Sequence, residues 1–325
     1  MPELPEVETT TKGLRKTVVG QKILDVWTDL DSKNKRQLDT IKNSAFFKYF
    51  KREVIGKKIV GVKRIGKNIL IALDSGDTIL IHMKMTGHLL FGEYTKKQFS
   101  ISNSQFSKKK REEIWVPKND GPLKDPFNRF IHVVFSLSGG KHLAFCDSRK
   151  FGKITLIKKS NIKTSRHLSH LGPDPTTRDF LFDDFKKRLN LKPNGKIKSV
   201  LMDQTIITGI GNIYSDEILW TSSIHPETKI RYISDKKFRE IFFAMIQVLK
   251  KGINFGGDSM SDYRNILGQK GKFQIHHNAY LKTSNHCGKK GCSGVIMKTI
   301  IGGRSAHFCN KHQKQRWVPY EIADI

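Results

Sequence analysis

Hydrophobic and polar positions along the chain change their period twice. From Pro5, residues Val7, Leu14 and Val18 recur at helical spacing, so a helix is predicted to begin just after Pro2 and Glu3. Pro5 suits its first turn, and Glu6 and Glu8 complement the positive end of the helix dipole. The pattern then reads as strands. "NILIAL", the turn "DSGD" and "TILIHM" predict one hairpin, and "RFIHVVFSL", "SGG" and "KHLAFC" predict another that ends at Cys146. Residues 92 to 126 between them are polar, carry "KKKR" at Lys108 to Arg111 and read as a long surface loop.

At "HLGPDPTTRD" the strand pattern stops, and the Pro/Gly density marks a linker. Helical periodicity follows in "FLFDDFKKRL", "KIKSVLMDQ", "NIYSDEILW" and "SDKKFREIFFAMIQVLKKG". The last aligns Phe238, Ile241, Phe242, Met245, Val248 and Leu249 on one face, with Ser234 as cap and Gly252 as stop. These positions are expected to be core.

Charge changes the picture. Across 325 residues there are 59 Lys+Arg against 30 Asp+Glu, a formal charge of +29. With 37% hydrophobic residues the chain is no disordered basic tail, so a folded protein with a polyanionic partner is expected. Nucleic acid leads, because each neutralised phosphate releases a counterion; an acidic membrane surface is second. No apolar run approaches the roughly 18 to 20 residues that span a bilayer, and the acidic start is unlike a secretory signal. The expectation is a cytoplasmic protein without a membrane partner.

Cys146 stands alone, whereas Cys287-x4-Cys292-x16-Cys309-x2-His312 pairs close ligands across a loop, as a structural zinc site requires. His286 or His307 could replace His312 as the nitrogen ligand. "GVIMKTIIGGRSAHF" between the pairs predicts a hairpin turning at Gly302-Gly303, too small to fold without a metal. In "TGIGNIYSDE" a dinucleotide fingerprint fails, because Tyr214 stands where a third glycine is needed and a helix precedes it. Two readings of this segment remain: a helix N-terminus that offers N–H groups and Asn212 to a phosphate, or a plain packing turn.

The opening "MPELPEVETT" also has two readings. Proline and acidic residues are common at helix starts. If the initiator methionine is removed, however, Pro2 becomes a secondary amine less basic than lysine, and therefore a usable nucleophile at neutral pH. Attack on a sugar C1′ would give an iminium that draws electrons from the adjacent carbon, and Glu3 could protonate the opening ring.

These residues, together with "RIGKNIL", "HMKMTGHL", "DSRKFG", "LGPDP", "DQTIITGIGNIYSDEILW" and the cysteine hairpin, make the chain resemble the formamidopyrimidine-DNA glycosylases almost end to end. The resemblance implies an α+β fold: an N-terminal two-layered β-sandwich with flanking helices, then a helical domain with a helix-two-turns-helix element and a zinc β-hairpin. The expected boundaries are 1–160 for the sandwich, 161–178 for a linker, 179–275 for the helical domain and 276–325 for the zinc finger. It further implies Pro2 as nucleophile, Glu3 as acid, Glu6 as supporting carboxylate, Lys67 in damaged-purine removal, and Arg304 as a catalytic-site arginine gripping the backbone. Met85, Arg149 and Phe151 would fill the gap left by an extruded base, and Lys198 and Asn212 would hold phosphates. The segment from Gly256 to Phe273 would be a mobile loop closing over an oxidised purine.

The implied activity is excision of formamidopyrimidines and 8-oxoguanine from double-stranded DNA, with β,δ-elimination at the abasic site, by a monomer carrying one structural zinc. An endonuclease VIII-type enzyme preferring oxidised pyrimidines, and a non-catalytic damaged-DNA binder, are the alternatives. Three features depart from the family pattern. His312 stands for a fourth cysteine after a widened first pair, residues 92 to 126 are longer than usual, and Ser148 replaces a proline.

Overall fold

The computed structural model describes residues 1–101, 110–162 and 164–314. The chain divides into two compact units, residues 1–165 with 256–272, and residues 166–255 with those from 273 onward.

In the first unit, helix α1 (Leu4–Thr17) leads into β1 (Ile23–Thr28), α2 (Ser44–Val54), β2 (Ile59–Ile65), β3 (Asn68–Leu73), β4 (Thr78–His82) and β5 (His88–Gly92). Strands β6 (Tyr94–Ile101), β7 (Lys110–Pro117), β8 (Ile131–Leu137), β9 (His142–Cys146) and β10 (Lys153–Ile157) follow. Two antiparallel four-stranded sheets result, ordered β1-β8-β9-β5 and β10-β4-β3-β2. Both predicted hairpins form, as β3–β4 and β8–β9. Val26, Val133, Phe135 and Phe145 of one sheet share a core with Val62, Ile69, Ile71, Ile79 and Ile81 of the other, so the unit is a two-layered sandwich. Val7 and Leu14 of α1 and Phe50 and Val54 of α2 join that core.

Residues 92 to 126 are not a structureless loop. Tyr94 pairs with Pro117 and the register runs unbroken to Ile101 and Lys110, which makes a β-hairpin; Lys108 and Lys109 of the basic run lie outside the described residues. Its base carries Trp115, which packs edge-on to Trp27 and joins Leu90, Tyr94, Val134 and Cys146 on the outer face of the first sheet. Polar composition concealed the strands: Lys96, Lys97, Gln98, Glu113 and Ile114 are exposed, so no alternating apolar pattern marks them. β8, by contrast, is buried on both faces, which explains its nearly continuous apolar run.

The second unit contains α3 (Phe182–Leu189), α4 (Ile197–Met202), α5 (Asn212–Ser222) and α6 (Asp235–Asn254), then the hairpin β11 (Ile296–Ile301) and β12 (Arg304–Cys309). Ser234 is the N-cap of α6 as expected, but the helix passes through the buried Gly252 to Asn254, since a glycine costs a helix interior only about 1 kcal/mol. The predicted core face of α6 is buried throughout. Gly302 and Gly303, with φ of 56° and 74°, make the tight turn between the paired residues Ile301 and Arg304. Among the described residues no helix is long and apolar enough to cross a membrane.

Candidate functional site

Pro2 and Glu3 lie at the start of α1, both buried. Glu3 is the N-cap, and its backbone N–H donates to Glu6 Oε2 at 2.7 Å, half of a capping box. The other oxygen of Glu6 accepts the backbone N–H of Asp258 at 2.7 Å, and its main-chain oxygen accepts from the Tyr263 hydroxyl at 3.0 Å. Glu6, 1% exposed, therefore ties the chain start to residues 256–272.

That segment is anchored elsewhere as well. Arg264, 1% exposed, makes a two-pronged pair with Asp125 at 3.1 Å for both contacts. The Phe91 N–H donates to the Ile266 carbonyl at 2.7 Å, and the Ser148 hydroxyl donates to Asp262 at 3.1 Å. From sequence, residues up to 275 belong with the helical domain; in space 256–272 group with the sandwich. Met260 and Leu267 stay exposed on it.

Lys67 sits at the two-residue turn between β2 and β3, 7% exposed. The neighbouring His82 pairs with Asn68, the residue after Lys67, across the β3–β4 register. Burial, with the Lys84 and Lys67 ammonium groups adding to it, pushes the His82 imidazole down to about 3, so this corner carries its positive charge on the lysines. Met85 lies on the turn after β4, and Arg149 and Phe151 lie on the turn after β9. Asp147 joins these two turns: it accepts from the Thr86 hydroxyl and from the Gly152 N–H at 2.6 Å, while the Arg149 N–H donates to Thr86 Oγ1 at 3.2 Å. Lys42 Nζ donates to the Lys150 carbonyl, bracing the turn from below; burial lowers its pKa. Phe151 is 49% exposed, and the Arg149 guanidinium stands 4.5 Å from its ring centre. An exposed phenylalanine and arginine stacked on a braced turn can enter a gap in a base stack without dismantling a core.

In the second unit Asn212 opens α5 behind the N-cap Gly211, and its side-chain amide donates to Ser305 at 3.3 Å. Gln204 steadies the turn before it, accepting from Gly209 N–H and donating to the carbonyls of Met202 and Ile210. Arg304 is exposed at the first residue of β12. Lys198 differs from these: it is fully buried, and its ammonium donates to Asp216 Oδ1 at 2.5 Å, Ser215 Oγ at 3.1 Å and the Asn212 carbonyl at 3.4 Å. Glu217, buried beside Asp216, accepts the backbone N–H groups of Asn278, Ala279 and Tyr280 and so pins the chain that leads to the cysteine hairpin.

Cys287, Cys292, Cys309 and His312 converge, with one donor atom from each lying within 4.8 Å of all the others. Cys292 and Cys309 sulfurs are 3.6 Å apart, and His312 Nδ1 is 3.2 Å from the Cys287 sulfur. A tetrahedral zinc with Zn–S near 2.3 Å spaces its sulfurs about 3.8 Å apart, so the donor set fits that ion in chemistry and in size. The far nitrogen of His312 lies 3.2 Å from the Trp220 carbonyl, the outer hydrogen bond that leaves Nδ1 free to ligate. Of the three candidate histidines, His312 is the one that joins the three sulfurs among the described residues, while His307 Nδ1 is bound to Asp216 at 2.9 Å. Cys146 lies outside this cluster; burial pushes its thiol up to about 12.

Sequence reasoning missed Asp147, Thr86, Asp258, Tyr263, Arg264 and Asp216, and offered His307 as a metal ligand instead of as Asp216's partner. Several lie inside quoted motifs, but nothing in their spacing says which partner each one meets.

Residues 1–154 match the formamidopyrimidine-DNA glycosylase N-terminal domain, and residues 171–264 match the formamidopyrimidine-DNA glycosylase H2TH domain. A formamidopyrimidine-DNA glycosylase of Streptococcus pyogenes is 35% identical over 97% of this chain and all of its own length, and that of Bacillus subtilis is 33% identical over the same shares. Among solved structures, Lactococcus lactis Fpg in complex with abasic-site DNA is similar with a TM-score of 0.76 and 29% identity, covering 96% of this chain and all of that one. A mutant of the same enzyme with Fapy-dG-containing DNA reaches 0.77 at 29% identity, over 97% of this chain and all of that one.

Proposed function

Because this chain belongs to the formamidopyrimidine-DNA glycosylase family, we propose that it is a base-excision-repair enzyme that removes oxidised purines and then nicks the abasic strand. The observation that carries this reading is the buried Pro2–Glu3 pair, held at the N-terminus of α1 by the Glu6 carboxylate. Removal of Met1 makes Pro2 a secondary amine at the positive end of a helix, which disfavours its protonated form.

The Pro2 nitrogen attacks C1′ as the base leaves, and Glu3 gives a proton to the ring oxygen as the sugar opens. The resulting iminium acidifies C2′–H; loss of that proton expels the 3′ phosphate, and a second elimination expels the 5′ phosphate. Lys67, beside His82, adds positive charge near the leaving base. Met85, Arg149 and Phe151 occupy the space of the extruded nucleotide, where Met and Phe replace stacking and Arg binds the orphaned partner base. Asn212 and Arg304 bind backbone phosphates. Lys198 acts from behind them, through Asp216 and the Asn212 carbonyl. A zinc ion held by Cys287, Cys292, Cys309 and His312 supplies structural closure of the hairpin and no chemistry.

Borohydride trapping on a duplex with 8-oxoguanine opposite cytosine, followed by mass spectrometry of the N-terminal peptide, tests the proposal. An adduct on Pro2 is expected. Trapping only on an oxidised-pyrimidine duplex would move the protein to the endonuclease VIII type. Binding without any adduct would make it a damaged-DNA binder.

A further inference from the structure

Asp216 is wholly buried, yet both of its oxygens are occupied by groups from other elements. Oδ1 takes the Lys198 ammonium of α4 at 2.5 Å; Oδ2 takes the His307 backbone N–H of β12 at 3.0 Å and its Nδ1 at 2.9 Å. One carboxylate on α5 therefore fastens α4 behind it and the zinc hairpin beside it.

The same three elements carry the groups read above as phosphate ligands. Asn212 lies one helical turn before Asp216, and its carbonyl and side-chain amide meet Lys198 and Ser305 respectively. Arg304 and His307 are an odd number of residues apart on β12, so they face opposite sides, and indeed Arg304 is exposed while His307 is 1% exposed. An apolar contact would hold these elements together but would tolerate sliding. Three directional hydrogen bonds to one buried carboxylate fix both separation and rotation. Phosphate ligands need that, since a bidentate guanidinium or an amide donor loses its partner with a shift of a few tenths of an ångström.

We propose that Asp216 is a positioning residue: through Lys198 and His307 it sets Asn212 and Arg304 as one phosphate-binding unit for duplex DNA. The proposal rests on the repair-enzyme reading above.

The test compares wild type, His307→Phe, Asp216→Asn, Arg304→Ala and the His307→Phe/Arg304→Ala double variant, all zinc-loaded. His307→Phe keeps a ring against Tyr280 and keeps the backbone N–H bond, but removes the Nδ1 bond to Asp216. Affinity for a duplex with a tetrahydrofuran abasic analogue is measured against salt, and trapping on an abasic duplex is measured at saturating DNA. His307→Phe is expected to weaken binding on the order of ten-fold and to flatten the log–log salt slope by about one contact. Saturated trapping should be unchanged, and the double variant should bind no worse than Arg304→Ala. Asp216→Asn is expected to do the same if its melting stays cooperative; if it does not fold, His307→Phe decides. Lower melting temperature with wild-type affinity and salt slope, or additive losses in the double variant, would overturn the proposal. Wild-type protein that neither binds nor traps the duplex would instead overturn the repair-enzyme reading.

Discussion

The carboxylate of Glu6 lies 2.7 Å from the backbone nitrogen of Asp258, while its second oxygen lies 2.7 Å from the backbone nitrogen of Glu3. A single side chain so joins the first turn of the first helix to a segment more than 250 residues later. An ionised carboxylate can accept at both oxygens; a carboxamide can accept at only one.

Glu6→Gln should therefore lose one of the two bonds and set an NH₂ against an N–H. Stability should fall by about 1 to 3 kcal/mol, read as a lower melting temperature. Excision of 8-oxoguanine should fall more than nicking of a ready-made abasic site, since residues 256–272 are expected to engage the damaged base. Equal losses in both assays would contradict that division of labour.

Gly152→Ala places a Cβ 2.3 Å from Phe145 Cζ and 2.5 Å from Cε1, inside a packed core. The turn must shift, at a cost of about 1 to 3 kcal/mol. Because Phe151 precedes it, excision should drop along with thermal stability, whereas Phe151→Ala, at a half-exposed position, should reduce excision and leave the melting temperature nearly unchanged.

His82 gives a pH prediction. Its folded pKa, pushed to about 3 by burial and by Lys84 and Lys67, lies below the ordinary value of 6.5. The unfolded chain then binds a proton before the folded one does, so stability is full above about pH 6.5 and declines as the pH falls toward 3. Urea unfolding from pH 7 to 4 should show the decline, and His82→Asn should lessen it. An imidazole titrating near 6.5 by NMR would contradict the assignment.

Zinc is expected at one equivalent per chain. Cys292→Ser should remove it and disorder β11 and β12, because among the described residues the apolar cluster there is small, Ala279, Cys287, Ile296 and Cys309 with Trp220 and Cys292 against it. Metal analysis and hydrogen exchange would show this. Protection in the sandwich strands should persist, since their core of Val26, Phe135, Ile71 and Ile81 contains no metal ligand. Binding of duplex DNA should weaken through misplacement of Arg304.

Amino-acid order alone determined whatever depends on local chemistry. The periods of α1, α6, β3 and β8 announced those elements, Gly302 and Gly303 announced their turn, and the cysteine spacing announced a metal site. The quoted motifs named the family. Composition misled over β6 and β7, because exposed positions such as Lys96 to Gln98 and Glu113 lack the alternation that burial imposes.

Only tertiary structure decided which buried charge meets which partner. Lys198 reads in sequence as a phosphate ligand, yet the fold turns its ammonium inward to Asp216; residues 256–272 follow a helix in the chain, yet group with the sandwich through Glu6 and Asp125. Local preferences act over a turn of helix or a pair of strands. The pairing of Asp216 with His307, or of Glu6 with Asp258, joins residues far apart in the chain, and is fixed only when the elements between them have packed and water has left.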